Sequence, residues 1–104
     1  MEIGIVGLPL AGKTTVFNAV TRSNAQTGAF SSGRCQVQMA VVEVADPRVD
    51  ALAALFKPRK TTRARVQFND ISGVAKGAAE SAGLDPQVLN ALSKCDALLQ
   101  VVRV

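Results

Sequence analysis

Residues 4–20 read GIVGLPLAGKTTVFNAV, an apolar run that breaks into glycine and proline and resumes as a helical pattern headed by Lys13, Thr14 and Thr15. Gly7-x-x-x-x-Gly12-Lys13-Thr14 fits the G-x-x-x-x-G-K-[ST] pattern, in the context that gives the pattern meaning: a strand before it and a helix after it. Such a loop suits anion chemistry. Glycines let backbone N–H groups turn inward around a phosphate chain without Cβ clashes, and the helix that follows points its positive end at the same anion. The candidate cradle is Gly7, Leu10, Ala11, Gly12, Lys13, Thr14 and Thr15. Lys13 is the candidate catalytic group, reaching the outer phosphates, and the Thr14 hydroxyl is a candidate Mg²⁺ ligand. The plain alternative is a connecting glycine turn with Lys13 in solvent; pattern and context together favour the phosphate loop.

VQFNDISG, residues 66–73, supplies the second group. Asp70 closes an apolar strand and Gly73 follows it. Strands of parallel sheets end at the ligand crevice, so a carboxylate there can hold Mg²⁺ directly or through water, and the Gly73 N–H can reach a γ-phosphate. Alone, Asp-x-x-Gly is a common turn. Paired with the upstream loop, it reads as the metal side of a phosphate site.

The elements that must position these groups follow from hydrophobic periodicity. Residues 2–6 read as a short buried strand, and Lys13 to Arg22 as a helix with Val16, Phe17 and Val20 on one face. Residues 23–35 are small, polar and glycine-bearing, a loop. Gln36 to Val44 alternates, with Val37, Met39, Val41 and Val44 among polar neighbours, which predicts a half-buried strand. Asp46-Pro47 opens a second helix, Asp as N-cap and Pro in the first turn, with Val49, Leu52, Ala53 and Phe56 as its apolar face and Lys57-Pro58 as its stop. Arg65 to Asn69 is a strand with Val66 and Phe68 inward, and residues 70–84 are a loop. Asp85-Pro86 repeats the helix start ahead of Val88, Leu89 and Leu92. Ala97 to Val104 is a last strand, apolar enough to predict burial on both faces. Strands alternating with helices specify an α/β fold, a mostly parallel sheet with flanking helices.

Composition narrows the chemistry further. The 104 residues suffice for one core, and 48% are hydrophobic against 19% charged, a balance that folds. The chain has no His, Trp or Tyr, which removes a histidine base, a histidine metal ligand and Tyr or Trp stacking. Its net charge of +4 favours anionic partners without identifying one. Cys35 and Cys95 make no disulfide framework and no ligand spacing, the usage of a reduced, cytoplasmic compartment with free thiols. There is no signal-peptide pattern, and the apolar runs are strand-sized, so no membrane association is expected. Lys57, Arg59, Lys60, Arg63 and Arg65 form a basic run, KPRKTTRAR, able to touch rRNA phosphates; with no interleaved aromatics, a solvated loop is the favoured reading. Lys76 fits equally a phosphate-neutralising role and a plain surface lysine.

GIVGLPLAGKTTVFNAVT, VADPRVDALAALFKPRKTTRARVQFNDISGVAKGA and LSKCDALLQVVRV together resemble the N-terminal part of the YchF/Obg-like ATPases, P-loop proteins of the translation-factor class. The resemblance runs from the first residues to the last, and the Asp46-Pro47-Arg48 start and Lys57-Pro58 stop make it more specific than a phosphate loop alone. It implies a P-loop NTPase fold, incomplete here, with GTP or ATP bound together with Mg²⁺, slow hydrolysis and association with the ribosome. It also implies that residues 1–104 are the N-terminal part of a single G domain. The base-recognition motif (Asn-x-x-Glu in place of Asn-Lys-x-Asp) and the C-terminal domains would follow Val104. On that expectation the last strand leaves an open sheet edge, through which the chain would pair with a second copy.

Three positions bear on that resemblance. Counting back from Asp46-Pro47-Arg48 puts Arg34 where GTPase-like proteins carry the first-switch Thr that ligates Mg²⁺; Thr27, Ser31 and Ser32 are the nearby hydroxyls. Val74 follows Gly73 where many GTPases place a water-orienting Gln, and the family is hydrophobic there too, which implies slow turnover. Leu10 stands where family members often have Asn. Two function classes follow: a slow, Mg²⁺-dependent nucleoside triphosphatase in translation, or a nucleotide-binding module without turnover. A P-loop small-molecule kinase is a weaker third, since Asp-x-x-Gly is present and an arginine-rich lid is not.

Overall fold

The computed structural model describes residues 1–23, 37–72 and 85–104. Among the described residues, four strands and three helices alternate: β1 (Glu2–Val6), α1 (Lys13–Thr21), β2 (Val37–Glu43), α2 (Pro47–Phe56), β3 (Arg65–Ile71), α3 (Pro86–Ser93) and β4 (Ala97–Gln100). The strands form one sheet in the order β2-β3-β1-β4. β1 pairs in parallel with both β3 and β4, and β2 runs antiparallel to β3 at one edge. The parallel centre with flanking helices matches the fold class expected from the sequence.

Register decides what faces what. Ile3 pairs with Phe68 and Ala97, and Ile5 with Asp70 and Leu99. Across the antiparallel pair, Ala40 opposes Phe68 and Val42 opposes Val66. Directly opposed residues share a face, so one face carries Ile3, Ile5, Val66, Phe68, Asp70, Ala40 and Val42. Helix α1 crosses this face; Phe17 is its buried residue, and Ile5 beneath is fully buried. Each such side chain contributes about 1.5–3 kcal/mol relative to exposure. Over the opposite face, Ile71 and Val88 are fully buried. There the Cys95 thiol donates to the Ala91 carbonyl at 3.3 Å and accepts from Asn69 Nδ2 at 3.8 Å.

One expectation is sharpened and two are corrected. In β2 the shielded residues are Ala40 and Val42, while Met39 is 67% exposed and Val37, Val41 and Val44 are exposed too. Alternation identifies two faces but not which of them a helix crosses, and α1 lies on the Ala40 side. In α2, Val49 and Ala53 are half-buried, yet Leu52 is exposed and Phe56 is 73% exposed. No residue of this helix is buried, because it does not lie on the sheet as α1 does. The last strand ends at Gln100 rather than Val104, and Leu98 and Leu99 are exposed. It is an edge strand, with β1 as its one neighbour among the described residues, which is the open edge expected from the sequence and leaves these apolar residues uncovered. Smaller shifts also occur: β3 extends through Asp70 to Ile71, α1 stops at Thr21, and Val20 is exposed.

Candidate phosphate site

The loop between β1 and α1 is shaped by a tight turn. Ala11 N–H donates to the Leu8 carbonyl at 3.1 Å, Pro9 occupies the second position, and Leu10 occupies the third with φ 63°. Proline second and a positive φ third is the pattern of a type II turn, whose third position favours Gly or Asn because an L side chain crowds the backbone there. Leu10 therefore stands where the turn itself favours Gly or Asn. A leucine in this conformation costs roughly 1–2 kcal/mol, and its side chain, 67% exposed, regains little of that by burial.

Two glycines bracket the turn for different reasons. Gly12 sits at φ 97° as the residue before α1, a conformation that any side chain would strain. Gly7 answers to space: a Cβ there would lie 2.6 Å from the Val101 carbonyl oxygen and 3.2 Å from Lys13 Cγ. The chain beyond β4 therefore packs against the root of the loop. Lys13, half-buried, lays its stem across Gly7 and makes no hydrogen bond or ion pair among the described residues.

The helix ends sharpen the contrast. Asp46 caps α2 by accepting from Arg48 N–H at 2.9 Å, and Asp85 caps α3 by accepting from Gln87 N–H at 2.8 Å; each helix has proline in its first turn. The Arg48 guanidinium also grips Asp46, with Nε to Oδ1 at 3.0 Å and Nη2 to Oδ2 at 2.8 Å, which holds the Asp46 carboxyl below its usual range. Helix α1 has neither a side-chain cap nor an acidic residue in its first turn. Its positive end is left for an external anion.

Beside that end lies the strongest signal in the molecule. Thr14 and Asp70 come from different elements, yet the Thr14 hydroxyl donates to Asp70 Oδ2 at 2.9 Å. Asp70 is 5% exposed, and its other oxygen, Oδ1, is buried with no hydrogen-bond partner among the described residues. Burying a carboxylate oxygen unpaired is costly, and native structures rarely leave one so. A hydroxyl and a carboxylate side by side form an all-oxygen donor set of the kind a hard divalent cation takes, with phosphate and water completing the shell. Asp70 Oδ1 and the Thr14 hydroxyl therefore fit Mg²⁺. No group of three or more His, Cys, Asp or Glu suited to a metal occurs among the described residues.

Gly7, Leu10, Ala11, Gly12, Lys13, Thr14, Thr15 and Asp70 thus converge where β1 and β3 meet the start of α1. Gly73, Val74, Lys76, Cys35, Arg34, Thr27, Ser31 and Ser32 lie outside the described residues. In the basic run, Arg63 pairs with Asp50 and Arg65 with Glu43, while Lys57, Arg59 and Lys60 are unpaired among the described residues. No helix among the described residues is long and apolar enough to cross a membrane. Sequence reading missed the partners of the loop: the Val101 carbonyl against Gly7, and Arg103, whose Nη1 donates to the Leu10 carbonyl at 3.4 Å. Pro9 ahead of a non-glycine was the legible sign of a strained turn; nothing local pointed to residues 101 and 103.

Comparison with known proteins agrees with this geometry. A family model described as 50S ribosome-binding GTPase matches residues 2–104. The chain is similar to proteins named ribosome-binding ATPase YchF. It is 39% identical over 103 residues to that of Bacillus subtilis (strain 168), which covers 99% of this chain and 28% of the relative. It is 40% identical over 102 residues to that of Escherichia coli O157:H7, covering 98% and 28%. With the Mycoplasma pneumoniae protein the identity is 38% over 103 residues, covering 99% and 28%. The chain thus spans 28% of the length of these relatives.

Proposed function

Since the chain belongs to the family of 50S ribosome-binding GTPases, we propose that it binds a nucleoside triphosphate, GTP or ATP, with Mg²⁺, and hydrolyses it slowly as part of a ribosome-associated regulator. The observation that carries this reading is the pair at the helix mouth, Thr14 donating to one Asp70 oxygen while the other is buried without a partner among the described residues. In this reading the amides of the loop and of the first turn of α1 hold the β- and γ-phosphates. The Lys13 ammonium, free of any protein partner among the described residues, sits against the outer oxygens. Thr14 and Asp70 would hold Mg²⁺, which would supply charge neutralisation on the phosphates. Gly73, three residues beyond Asp70 in sequence, offers its N–H to the γ-phosphate.

The slow turnover in this proposal rests on Val74, which follows Gly73 in sequence and cannot orient an attacking water, so positioning and electrostatics are what this segment offers to lower the barrier. The same observation favours a second reading, nucleotide binding without turnover. The ribosome is proposed as partner because the family and the similar proteins are both named for binding it.

Calorimetric titration with ATP and GTP, each with and without Mg²⁺, tests the binding claim. Mg²⁺-strengthened triphosphate binding that Asp70→Asn abolishes is the expected result, and absence of triphosphate binding overturns it. Competition between the two nucleotides assigns the base. A single-turnover assay then separates slow hydrolysis from binding alone.

A further inference from the structure

We propose that Arg103 is a positioning residue for the phosphate loop, holding the strained turn at Leu10 in its binding conformation from the far side of β1. The inference rests on the phosphate-site reading above and adds a component from outside the motif.

The observations are three. First, the chain beyond β4 stays attached to β1: Val101 N–H donates to the Val6 carbonyl at 2.8 Å, and the Val101 carbonyl oxygen occupies the space beside Gly7. Arg103 therefore leaves from a fixed point at the root of the loop. Second, residues 7–11 and 100–103 face each other across a cleft of about 430 Å³, and Arg103 Nη1 crosses it to donate to the Leu10 carbonyl at 3.4 Å. No other hydrogen bond or ion pair engages the Arg103 side chain among the described residues. Third, the acceptor belongs to the one loop residue whose backbone is strained, a leucine at φ 63°.

Together these make a restraint with a purpose. A turn that disfavours its own third residue opens readily when no phosphate is present. A charged donor on that residue's carbonyl opposes the opening, since hydrogen bonds to ionised groups are the stronger kind. The bond is long and open to solvent, so its effect is moderate. Because it acts on the backbone of the loop, it changes affinity for the phosphate chain itself, whatever base is attached.

The test compares inorganic tripolyphosphate with ATP and GTP on the unaltered chain and on Arg103→Gln and Arg103→Lys, by calorimetric titration alongside thermal melting. Arg103→Gln is expected to weaken tripolyphosphate and nucleotide by the same factor, about fivefold, with the melting midpoint unmoved, and Arg103→Lys to recover part of the loss. In a Leu10→Asn background, where the side chain itself tolerates the turn, the loss should shrink below about twofold. Unchanged tripolyphosphate affinity in Arg103→Gln overturns the proposal, including a loss confined to the nucleotides, which would place Arg103 on the nucleoside. An undiminished loss in the Leu10→Asn background also overturns it. If the unaltered chain binds neither tripolyphosphate nor nucleotide, the phosphate-site reading fails and this inference with it.

Discussion

Thr14 and Asp70, 56 residues apart in sequence, meet through a 2.9 Å hydrogen bond that satisfies one carboxylate oxygen and leaves the other buried and, among the described residues, unpaired. The two oxygens of one side chain thus have opposite circumstances. One is locked by the first turn of α1 and fixes the carboxylate in place. The other, buried without a hydrogen-bond partner among the described residues, has an unmet demand that a cation would satisfy.

Replacing Asp70 by Asn removes the buried charge and keeps the shape. The ligand-free chain is expected to be as stable as before or more stable, by up to about 1 kcal/mol, while the Mg²⁺ enhancement of triphosphate affinity disappears. Denaturant unfolding and titration on the same preparation show both. Loss of stability together with retained Mg²⁺ dependence would make Asp70 an ordinary core residue.

Lys13→Ala is expected to weaken triphosphate binding by about tenfold or more and monophosphate binding far less, since its ammonium serves the outer phosphates. Titration with both ligands reads the difference. Equal losses would mean that Lys13 acts on the fold of the loop, where its stem crosses Gly7, rather than on the anion.

Gly7→Ala places a methyl group 2.6 Å from the Val101 carbonyl oxygen. The obstacle is backbone already bonded to its neighbour strand, since Val101 N–H donates to Val6. Relief therefore requires the segment beyond β4 to move. A loss of about 1–3 kcal/mol is expected in denaturant unfolding, and a variant of unchanged stability would show that this segment packs less firmly than the geometry indicates.

The start of α2 gives the chain an acid-sensitive cap. Arg48 holds the Asp46 carboxyl below its usual value of 3.8, so the folded state binds the proton less readily than the unfolded state. The stability from this cap is complete above the unfolded value and is lost as pH falls below about 4 and through the depressed folded value. Asp46→Asn should flatten that part of the melting-temperature profile below pH 5, while its side-chain oxygen still caps the helix. An identical acid limb in both proteins would assign the effect to other carboxylates.

Sequence alone determined the parts of this protein whose physics is local. The phosphate loop was legible because Gly12 needs a backbone conformation open to glycine, and because a strand-to-helix junction ending in Gly-Lys-Thr leaves amides aimed at an anion. The starts of α2 and α3 were legible because Asp-Pro satisfies and preforms a first turn. The alternation of strands and helices fixed the α/β class. What needed the tertiary structure was every relationship between distant segments. Alternation in β2 could not tell which face α1 would cross, so Ala40 and Val42 are sheltered in place of Met39 and Val41. The apolar pattern of α2 promised a buried face, but a face is buried only where another element covers it, and Phe56 meets solvent. The requirement for glycine at position 7 comes from a carbonyl ninety-four residues further on, and the restraint on Leu10 from Arg103. The Asp70 oxygen left without a partner is likewise a property of packing, since only the folded chain excludes water from it while bringing Thr14 to its twin.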